Sequence, residues 1–337
     1  MKQILEVPPE SRVVFGRVAK QLPPLLPDRR IIAIVDAAVD TLYPSLCAPF
    51  ERIVVEGGEP TKSLASLERV YSSLIELSAD RECFLLGVGG GVVTDLTGFV
   101  ASTYMRGVPF GFVSTTLLGA VDASVGGKNG VNVGGYKNMV GTFCQPRFVL
   151  CDVNMLRTLP EREFVAGLAE VVKSAIIADA ELFEMLEKCD VKMLPTDTAL
   201  LENIVFRAIK VKADIVERDE REQGDRRKLN LGHTLAHAIE KMSSKMNHGE
   251  AVAVGIALIC DMATSCGKLS ERDNSRIKTL LQKIGFSLES PVELRDLKSA
   301  LEKDKKSEGD NIQIVFPCRV GECVVEKMPL EEFKAMF

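Results

Sequence analysis

All three histidines of this 337-residue chain lie between residues 233 and 248, and their spacing is the first sign of chemistry in the sequence. His233 and His237 are four positions apart on a helical pattern, so their rings share one helix face. A catalytic zinc site uses about three protein ligands, often two histidines and a carboxylate, and keeps one position open. The spacing nominates this pair as ligands, with three carboxylates as candidates for the third: Glu240, Glu250 and the more distant Glu170. His248 would then be available for acid–base work near pH 7.

Two glycine-rich segments could hold a dinucleotide or another anion. Gly87 to Gly91 follows an apolar run and precedes a helical pattern, a placement in which glycines let the backbone approach a pyrophosphate. Val92 occupies the last glycine position of the G-x-G-x-x-G fingerprint, so this segment predicts a tight turn as readily as a dinucleotide site. Asp95 could accept a hydrogen bond from a ribose or cap a helix. The second segment, Val121 to Val131, is followed by Lys137 and Asn138 and could cradle an oxyanion or a polyhydroxyl ligand.

Several cations stand near these features although the chain is acidic, with 42 Lys and Arg against 47 Asp and Glu. Lys173 follows Glu170 by three residues on one helical face, and Lys212 and Arg226 come later in the chain. Most basic residues are only surface charge. Cations beside a histidine cluster, however, suit a phosphorylated or carboxylated substrate.

The pattern of apolar residues predicts the elements that position these side chains. Residues 30–35, 52–55 and 83–88 read as buried strands, and residues 63–77 carry apolar residues at helical spacing. From Pro160 onward the pattern is helical, over residues 164–187, 200–217, 231–245 and 251–266. We therefore predict an α/β domain with a parallel sheet, which contains the candidate dinucleotide-binding turn, at residues 1–155 and a mostly helical domain, which contains the candidate metal site, at 156–337.

Composition limits the class of protein. With 46% hydrophobic and 26% charged residues the chain is typical of a globular protein, and its net charge of −5 argues against nucleic acid or a membrane surface as partner. The nine cysteines show no paired C-x-x-C spacing, and the first residues lack an apolar signal core. The expected location is the cytoplasm.

Six segments taken together resemble the 3-dehydroquinate synthase family of sugar-phosphate cyclases. They occur in the order and at the spacing of that family: GGGVVTDLTGFVASTYMRG, STTLLGAVDASVGGKNGVN, KNMVGTFCQP, GLAEVVK, NLGHTLAHAIE and HGEAVAVGI. The resemblance covers nearly the whole chain and is densest from Glu56 to Gly255. Several long motifs in register make it highly specific.

The resemblance implies an NAD-binding domain, a helical metal domain and an active site in the cleft between them. It implies Glu170, His233 and His248 as ligands of one divalent metal, zinc or cobalt, so that His237 becomes a substrate-side residue rather than a ligand. The implied substrate contacts are Asp122, Lys128, Asn138, Lys173, Lys212, Arg226, Asn230, His237 and one lysine of the Lys305-Lys306 pair, for which we take Lys305. The implied NAD contacts are Asp36, Glu59, Lys62, Gly90, Gly91, Asp95, Thr115, Thr116 and Lys137, with Asp122 and Lys128 close to both ligands.

Arg106, in the YMRG motif, resembles a family arginine that reaches the substrate phosphate across a dimer interface, so a homodimer is expected. Three positions depart from the family's usual residues: Ala38 replaces Asn near the adenosine, Ser114 replaces Pro and Asn129 replaces Thr. Ala38 puts one NAD contact in doubt, whereas the other two changes look neutral.

The reaction implied is conversion of a phosphorylated sugar acid, 3-deoxy-D-arabino-heptulosonate 7-phosphate, to 3-dehydroquinate and phosphate in the shikimate pathway. A first alternative is a cyclase of the 2-epi-5-epi-valiolone or 2-deoxy-scyllo-inosose synthase type, whose substrate lacks the carboxylate. Arg226 and Asn230, the positions implied to hold that carboxylate, favour the quinate-forming reaction. A second alternative is a metal-dependent polyol or glycerol-phosphate dehydrogenase, and a third is an inactive binding relative.

Overall fold

A computed structural model describes residues 4–7, 10–243, 245–293, 295–299 and 311–336. The chain forms two compact units. Unit 1 consists of Met1–Phe164, Pro195–Val205 and Lys212–Glu217, and unit 2 of Val165–Leu194, Phe206–Val211 and Arg218–Phe337. The functional domain boundary after residue 155 stays a prediction, since these units are defined by packing alone.

Unit 1 is built on a seven-stranded sheet whose spatial order is β1-β2-β9-β6-β5-β3-β4. Only β1 and β2 pair antiparallel; the other neighbours are parallel. The strands are β1 (Ile4–Val7), β2 (Ser11–Phe15), β3 (Ile31–Asp36), β4 (Glu51–Val55), β5 (Phe84–Gly89), β6 (Phe110–Ser114) and β9 (Val149–Cys151). A separate antiparallel hairpin is formed by β7 (Lys128–Val133) and β8 (Tyr136–Phe143).

The helices of unit 1 follow the strands, as expected of crossover connections. They are α1 (Val18–Gln21), α2 (Ala37–Leu42), α3 (Pro44–Cys47), α4 (Leu64–Glu76) and α5 (Gly91–Thr103). Short 3₁₀ turns occupy Pro23–Leu25, Glu59–Thr61, Tyr104–Arg106 and Val153–Thr158, and a π-helical turn occupies Gly119–Ala123. All six residues of β5 are buried, which agrees with a parallel strand covered on both faces.

Unit 2 is mainly helical. The later helices of the chain are α6 (Glu161–Ala178), α7 (Ala180–Lys188), α8 (Thr198–Arg218), α9 (His233–Met242), α10 (His248–Ser265) and α11 (Glu271–Ile284), followed by Leu330–Ala335. Unit 2 also contains 3₁₀ turns at Val191–Met193 and Asp225–Asn230 and an antiparallel pair, β10 (Asn311–Arg319) and β11 (Glu322–Pro329). Segments of α6 and α8 are assigned to both units.

The predicted fold class is confirmed: an α/β part with a parallel sheet precedes a mostly helical part. One prediction was wrong: residues 164–187 were expected to form a single helix, but they form the two helices α6 and α7, separated at Asp179. The Asp179 side chain accepts a hydrogen bond from the Leu182 amide and so starts α7 as its N-cap. Among the described residues, no helix has the length and apolarity that crossing a bilayer requires.

Candidate active site

Glycines bring the helices of the histidine region unusually close together. A Cβ on Gly249 would lie 2.2 Å from the Ala166 carbonyl oxygen, so only glycine lets the first turn of α10 pack directly on α6. A Cβ on Gly255 would lie 2.2 Å from the carbonyl oxygen of Gly232, which allows α10 to approach the start of α9 equally closely. Gly232 itself has a φ of 78° and precedes His233, so it turns the chain into α9 in a conformation that favours glycine.

This packing places Glu170 of α6, His233 of α9 and His248 of α10 around one point. Each offers a ligand atom, and the three atoms lie within 4.8 Å of one another. Glu170 Oε1 is 3.4 Å from His248 Nε2 and 3.6 Å from His233 Nε2. Two imidazole nitrogens and a carboxylate oxygen are the donor set of many catalytic zinc sites, so these residues fit a zinc or cobalt ion.

Each ring is also held from its other nitrogen, which is characteristic of metal-ligating histidines. His233 Nδ1 lies 3.2 Å from the Leu231 carbonyl oxygen. His248 Nδ1 lies 3.3 Å from Glu240 Oε1. Both contacts direct Nε2 toward Glu170. The structure thus brings together the ligand set that the family resemblance implied, and it places Glu240 behind His248 rather than among the three.

Electrostatics differ between the two rings. Burial and, to a smaller extent, the nearby charge of Lys173 lower the pKa of His233 to about 3. Burial also lowers the pKa of His248, but hydrogen bonds with Glu170 and Glu240 outweigh it and raise the pKa to about 9. His233 is therefore a neutral donor, while the two carboxylates favour positive charge at His248.

The other candidate residues of unit 2 lie on two segments. Lys173 is buried and pairs with Glu170 Oε2 one helical turn earlier. Arg226 is also buried, and its guanidinium donates to the Glu220 carbonyl while its backbone amide donates to Asp219 at 3.0 Å. Asn230 donates to Glu222 Oε1 at 2.5 Å. The His237 ring is exposed and lies 5.5 Å from the His233 ring, so the pair shares one helix face as predicted.

In unit 1 the candidate NAD residues gather at the carboxyl ends of adjacent strands. Asp36 ends β3, and Gly90 and Gly91 follow β5 and begin α5. The sheet order reverses between β3 and β5, which is where open α/β sheets bind ligands. A Cβ on Gly90 would lie 2.7 Å from the Thr116 side chain, and no side chain caps α5. Glycine thus lets the turn pack against Thr116, and the backbone amides of this helix N-terminus, which no side chain caps, fit a pyrophosphate.

A hydrogen-bond network links the NAD candidates with a substrate candidate. Lys62 is buried, and its Nζ donates to Asp95 Oδ2 at 2.5 Å and to Asn138 Oδ1 at 2.6 Å. The Asn138 amide, in a backbone with φ of 52°, donates to Asn132 Oδ1 at 2.8 Å. Asn132 in turn donates to Glu59 Oε1 at 2.8 Å. Burial raises the pKa of Asp95 to about 6, and Lys62 opposes that rise.

The remaining candidates of unit 1 occupy the edges of this region. Lys212 Nζ donates to both the carbonyl and the Oδ1 of Asp122, each at 2.6 Å. Thr115 bonds through its amide to the Gly89 carbonyl at 2.9 Å, which places the Thr115-Thr116 pair beside the glycine turn. Three candidate cations of this unit are exposed: Arg106, Lys128 and Lys137. Lys305 and Lys306 lie outside the described residues.

Two residues with clear structural roles were not predicted. Glu240 was nominated only as a ligand, because helix periodicity cannot show that a second helix brings His248 between it and Glu170. Asn132 was not nominated: it directly follows the glycine-rich segment Val121 to Val131, and the structure forms the β7–β8 hairpin there. The alternation of Val131 and Val133 was the one available hint of a strand.

Comparison with protein-family models gives two adjoining matches. The 3-dehydroquinate synthase N-terminal model matches residues 52–166. The 3-dehydroquinate synthase C-terminal model matches residues 167–307. The two matches together include every candidate metal ligand.

Individual proteins agree with this result. The chain is 44% identical to the 3-dehydroquinate synthase of Pelobacter propionicus over 83% of its length and 79% of that protein. The 2-epi-5-epi-valiolone synthase ValA of Streptomyces hygroscopicus subsp. jinggangensis, solved with NAD⁺ and Zn²⁺, is 28% identical with a TM-score of 0.89, covering 100% of this chain and 97% of that one. A 2-deoxy-scyllo-inosose synthase, solved with carbaglucose-6-phosphate, NAD⁺ and Co²⁺, is 26% identical with a TM-score of 0.85, covering 99% and 98%. On the family models and the identity to this relative, the chain belongs to the 3-dehydroquinate synthase family.

Proposed function

We propose that this chain is an NAD- and divalent-metal-dependent lyase that converts 3-deoxy-D-arabino-heptulosonate 7-phosphate to 3-dehydroquinate and phosphate. The observation that carries the proposal is the cluster of the buried Glu170 and His233 with the half-buried His248, against which Lys173 lies. A polyanionic, polyhydroxylated substrate needs both a cation site and positive side chains in one place. The cluster supplies both within a single helical unit.

NAD would supply a reversible hydride acceptor for the C5 carbinol, and a metal held by Glu170, His233 and His248 would supply a Lewis acid for the substrate hydroxyls. With C5 held transiently as a ketone, the C6 proton would be acidic, and elimination of that proton and the phosphate would follow. The ring then opens, and an intramolecular aldol reaction closes the carbocycle. The side chains have to hold this one substrate through every step.

We assign the substrate's charges to the candidate cations. Lys173, Lys212 and Arg106, with Asn138 and His237, would hold the phosphate. Arg226 and Asn230 would hold the carboxylate, for which a guanidinium can donate two parallel hydrogen bonds. Asp122 and Lys128 would orient the hydroxyls, and one lysine of the Lys305-Lys306 pair would complete the set. Such preorganised charges stabilise the transition state where charge develops.

We also propose a cytoplasmic homodimer. Arg106 lies on an exposed turn with a φ of 71°, next to Met105, which is 43% exposed. The β7–β8 hairpin exposes further large apolar side chains, including Met139 at 61% and Phe143 at 43%. A second copy of the chain is the partner that would cover them and receive Arg106. The nine cysteines are all free, which agrees with a reducing compartment.

The test is an assay that follows phosphate and dehydroquinate together, with the heptulosonate phosphate as substrate. Equal release of both, with no net NADH at 340 nm, supports the proposal, and net NADH would instead indicate a dehydrogenase. Sedoheptulose 7-phosphate and glucose 6-phosphate serve as competing substrates, because the structural relatives include two other cyclases. Preference for either would replace the proposed substrate.

The metal assignment is tested by Glu170→Gln. The amide keeps the shape of the side chain but removes the charge that the ion needs, so we expect weak metal binding and almost no turnover in a folded protein. Circular dichroism checks the fold and metal analysis checks the content. Full activity with one bound metal per chain would refute the ligand set.

A further inference from the structure

Glu240 occupies a position that the proposed chemistry does not use. It lies on α9 seven residues after His233, so both side chains are on the same face of that helix. The Glu240 side chain is only 6% exposed. A carboxylate is costly to bury unless it has a charged or hydrogen-bonding partner. One contact of this carboxylate is to His248 Nδ1, at 3.3 Å.

The two histidines of the cluster are therefore supported in different ways. His233 Nδ1 faces a neutral backbone carbonyl, that of Leu231. His248 Nδ1 faces the ionisable carboxylate of Glu240, while Nε2 of the same ring faces Glu170. A carboxylate that accepts a hydrogen bond from Nδ1 keeps the proton on that nitrogen and orients the ring. It also makes Nε2 a stronger metal donor. A backbone carbonyl orients the ring without adding a charge.

We infer that Glu240 is a positioning residue for the metal site, holding His248 with Nε2 deprotonated and directed at the ion. This inference rests on the proposed metal role of Glu170, His233 and His248. It adds that the affinity of the site depends on a fourth, non-ligating residue on α9. The negative charge of Glu240 also balances the site, since two neutral imidazoles and one carboxylate leave a divalent ion with a net positive charge.

The expected effect follows from what each substitution removes. Glu240→Leu removes both the acceptor and the charge, and loss of such an outer contact typically weakens metal binding about 10- to 100-fold. Glu240→Gln keeps an acceptor oxygen but no charge, so we expect an intermediate loss. Glu250→Gln is the matched control: Glu250 lies in the first turn of α10 and accepts from the Asn247 amide at 2.8 Å, a capping role that glutamine also fulfils.

The experiment is a Zn²⁺ titration of the full chain, stripped of metal, against a chromophoric chelator. The visible spectrum of the Co²⁺-loaded protein is recorded in parallel, since the ligand field reports on the His248 donor directly. We expect zinc affinity to fall from wild type through Glu240→Gln to Glu240→Leu, with altered Co²⁺ bands in both and neither change in Glu250→Gln. A purely structural contact between α9 and α10 would lower the melting temperature and leave the Co²⁺ bands of the folded variant unchanged.

The outcomes separate this inference from the proposed function. If the wild type binds one zinc per chain and Glu240→Gln binds it equally well with the same Co²⁺ spectrum, Glu240 has no positioning role and the metal site stands. If the wild type itself binds no metal, the proposed function fails and this inference fails with it. Should Glu240→Leu not fold, Glu240→Gln alone decides the matter.

Discussion

Lys62→Met is the most informative single change in unit 1, because it removes one charge from a buried network and leaves the rest of the shape intact. Lys62 is 5% exposed, and Nζ holds Asp95 at 2.5 Å and Asn138 at 2.6 Å. Two charge-assisted hydrogen bonds contribute about 1.5–3 kcal/mol each. Removing one partner of a buried ion pair costs about 3–5 kcal/mol, so the two estimates agree. We expect the free energy of unfolding to fall by about 3–5 kcal/mol at pH 8.

The pH dependence identifies Asp95 as the group left behind. Burial raises the pKa of Asp95 from 3.8 to about 6, so in the wild type this residue favours the folded state most below pH 4, and that contribution is lost as the pH rises through 6. Lys62 holds the pKa down, so its removal raises the folded-state pKa further and extends the loss to higher pH. The loss of unfolding free energy caused by Lys62→Met should therefore be smaller at pH 5 than at pH 8.

The assay is urea denaturation of the NAD-free protein at both pH values, since bound NAD would itself stabilise the native state. Asp95→Asn and the double variant complete a cycle, in which the second change should cost much less once the first is present. An equal deficit at pH 5 and pH 8, or a loss below about 1 kcal/mol, would show that the pair is not the buried network described.

Three further predictions concern the metal unit and the dimer. Gly249→Ala places a Cβ 2.2 Å from the Ala166 carbonyl, so α10 has to shift; we expect roughly 1–3 kcal/mol of destabilisation in thermal unfolding and weaker zinc binding by titration. Arg106→Ala removes an exposed side chain, so the melting temperature should not change. Loss of its charge-assisted hydrogen bond to the phosphate costs about 1.5–3 kcal/mol, so kcat/KM should fall roughly 10- to 150-fold. Sedimentation of the active wild type should show a dimer, and an active species of 36.8 kDa would contradict the cross-subunit role.

Local patterns were sufficient for part of the elements. The apolar runs at 30–35 and 83–88 form β3 and β5, with bounds that agree within one residue at each end. Strands of a parallel sheet that are buried on both faces consist almost entirely of apolar residues, so such runs are easily recognised. The helical spacing at 200–217 appears as α8. Local patterns failed where a polar side chain overrides periodicity, as at Asp179, whose hydrogen bond to Leu182 starts a new helix inside a continuous apolar repeat.

The metal site shows why spacing alone could not select the ligands. Periodicity places His233, His237 and Glu240 on one face of α9, and any ligand set drawn from that helix alone looks equally good. The choice is made by packing between helices: Gly249 lets α10 lie against α6, and that contact carries His248 toward Glu170. Once His248 fills the position, Glu240 is left behind it as support. A glycine on α10 thus decides that His248, and not Glu240 of α9, binds the metal. This choice depends on the packing of three helices, so the spacing of residues within one helix cannot predict it.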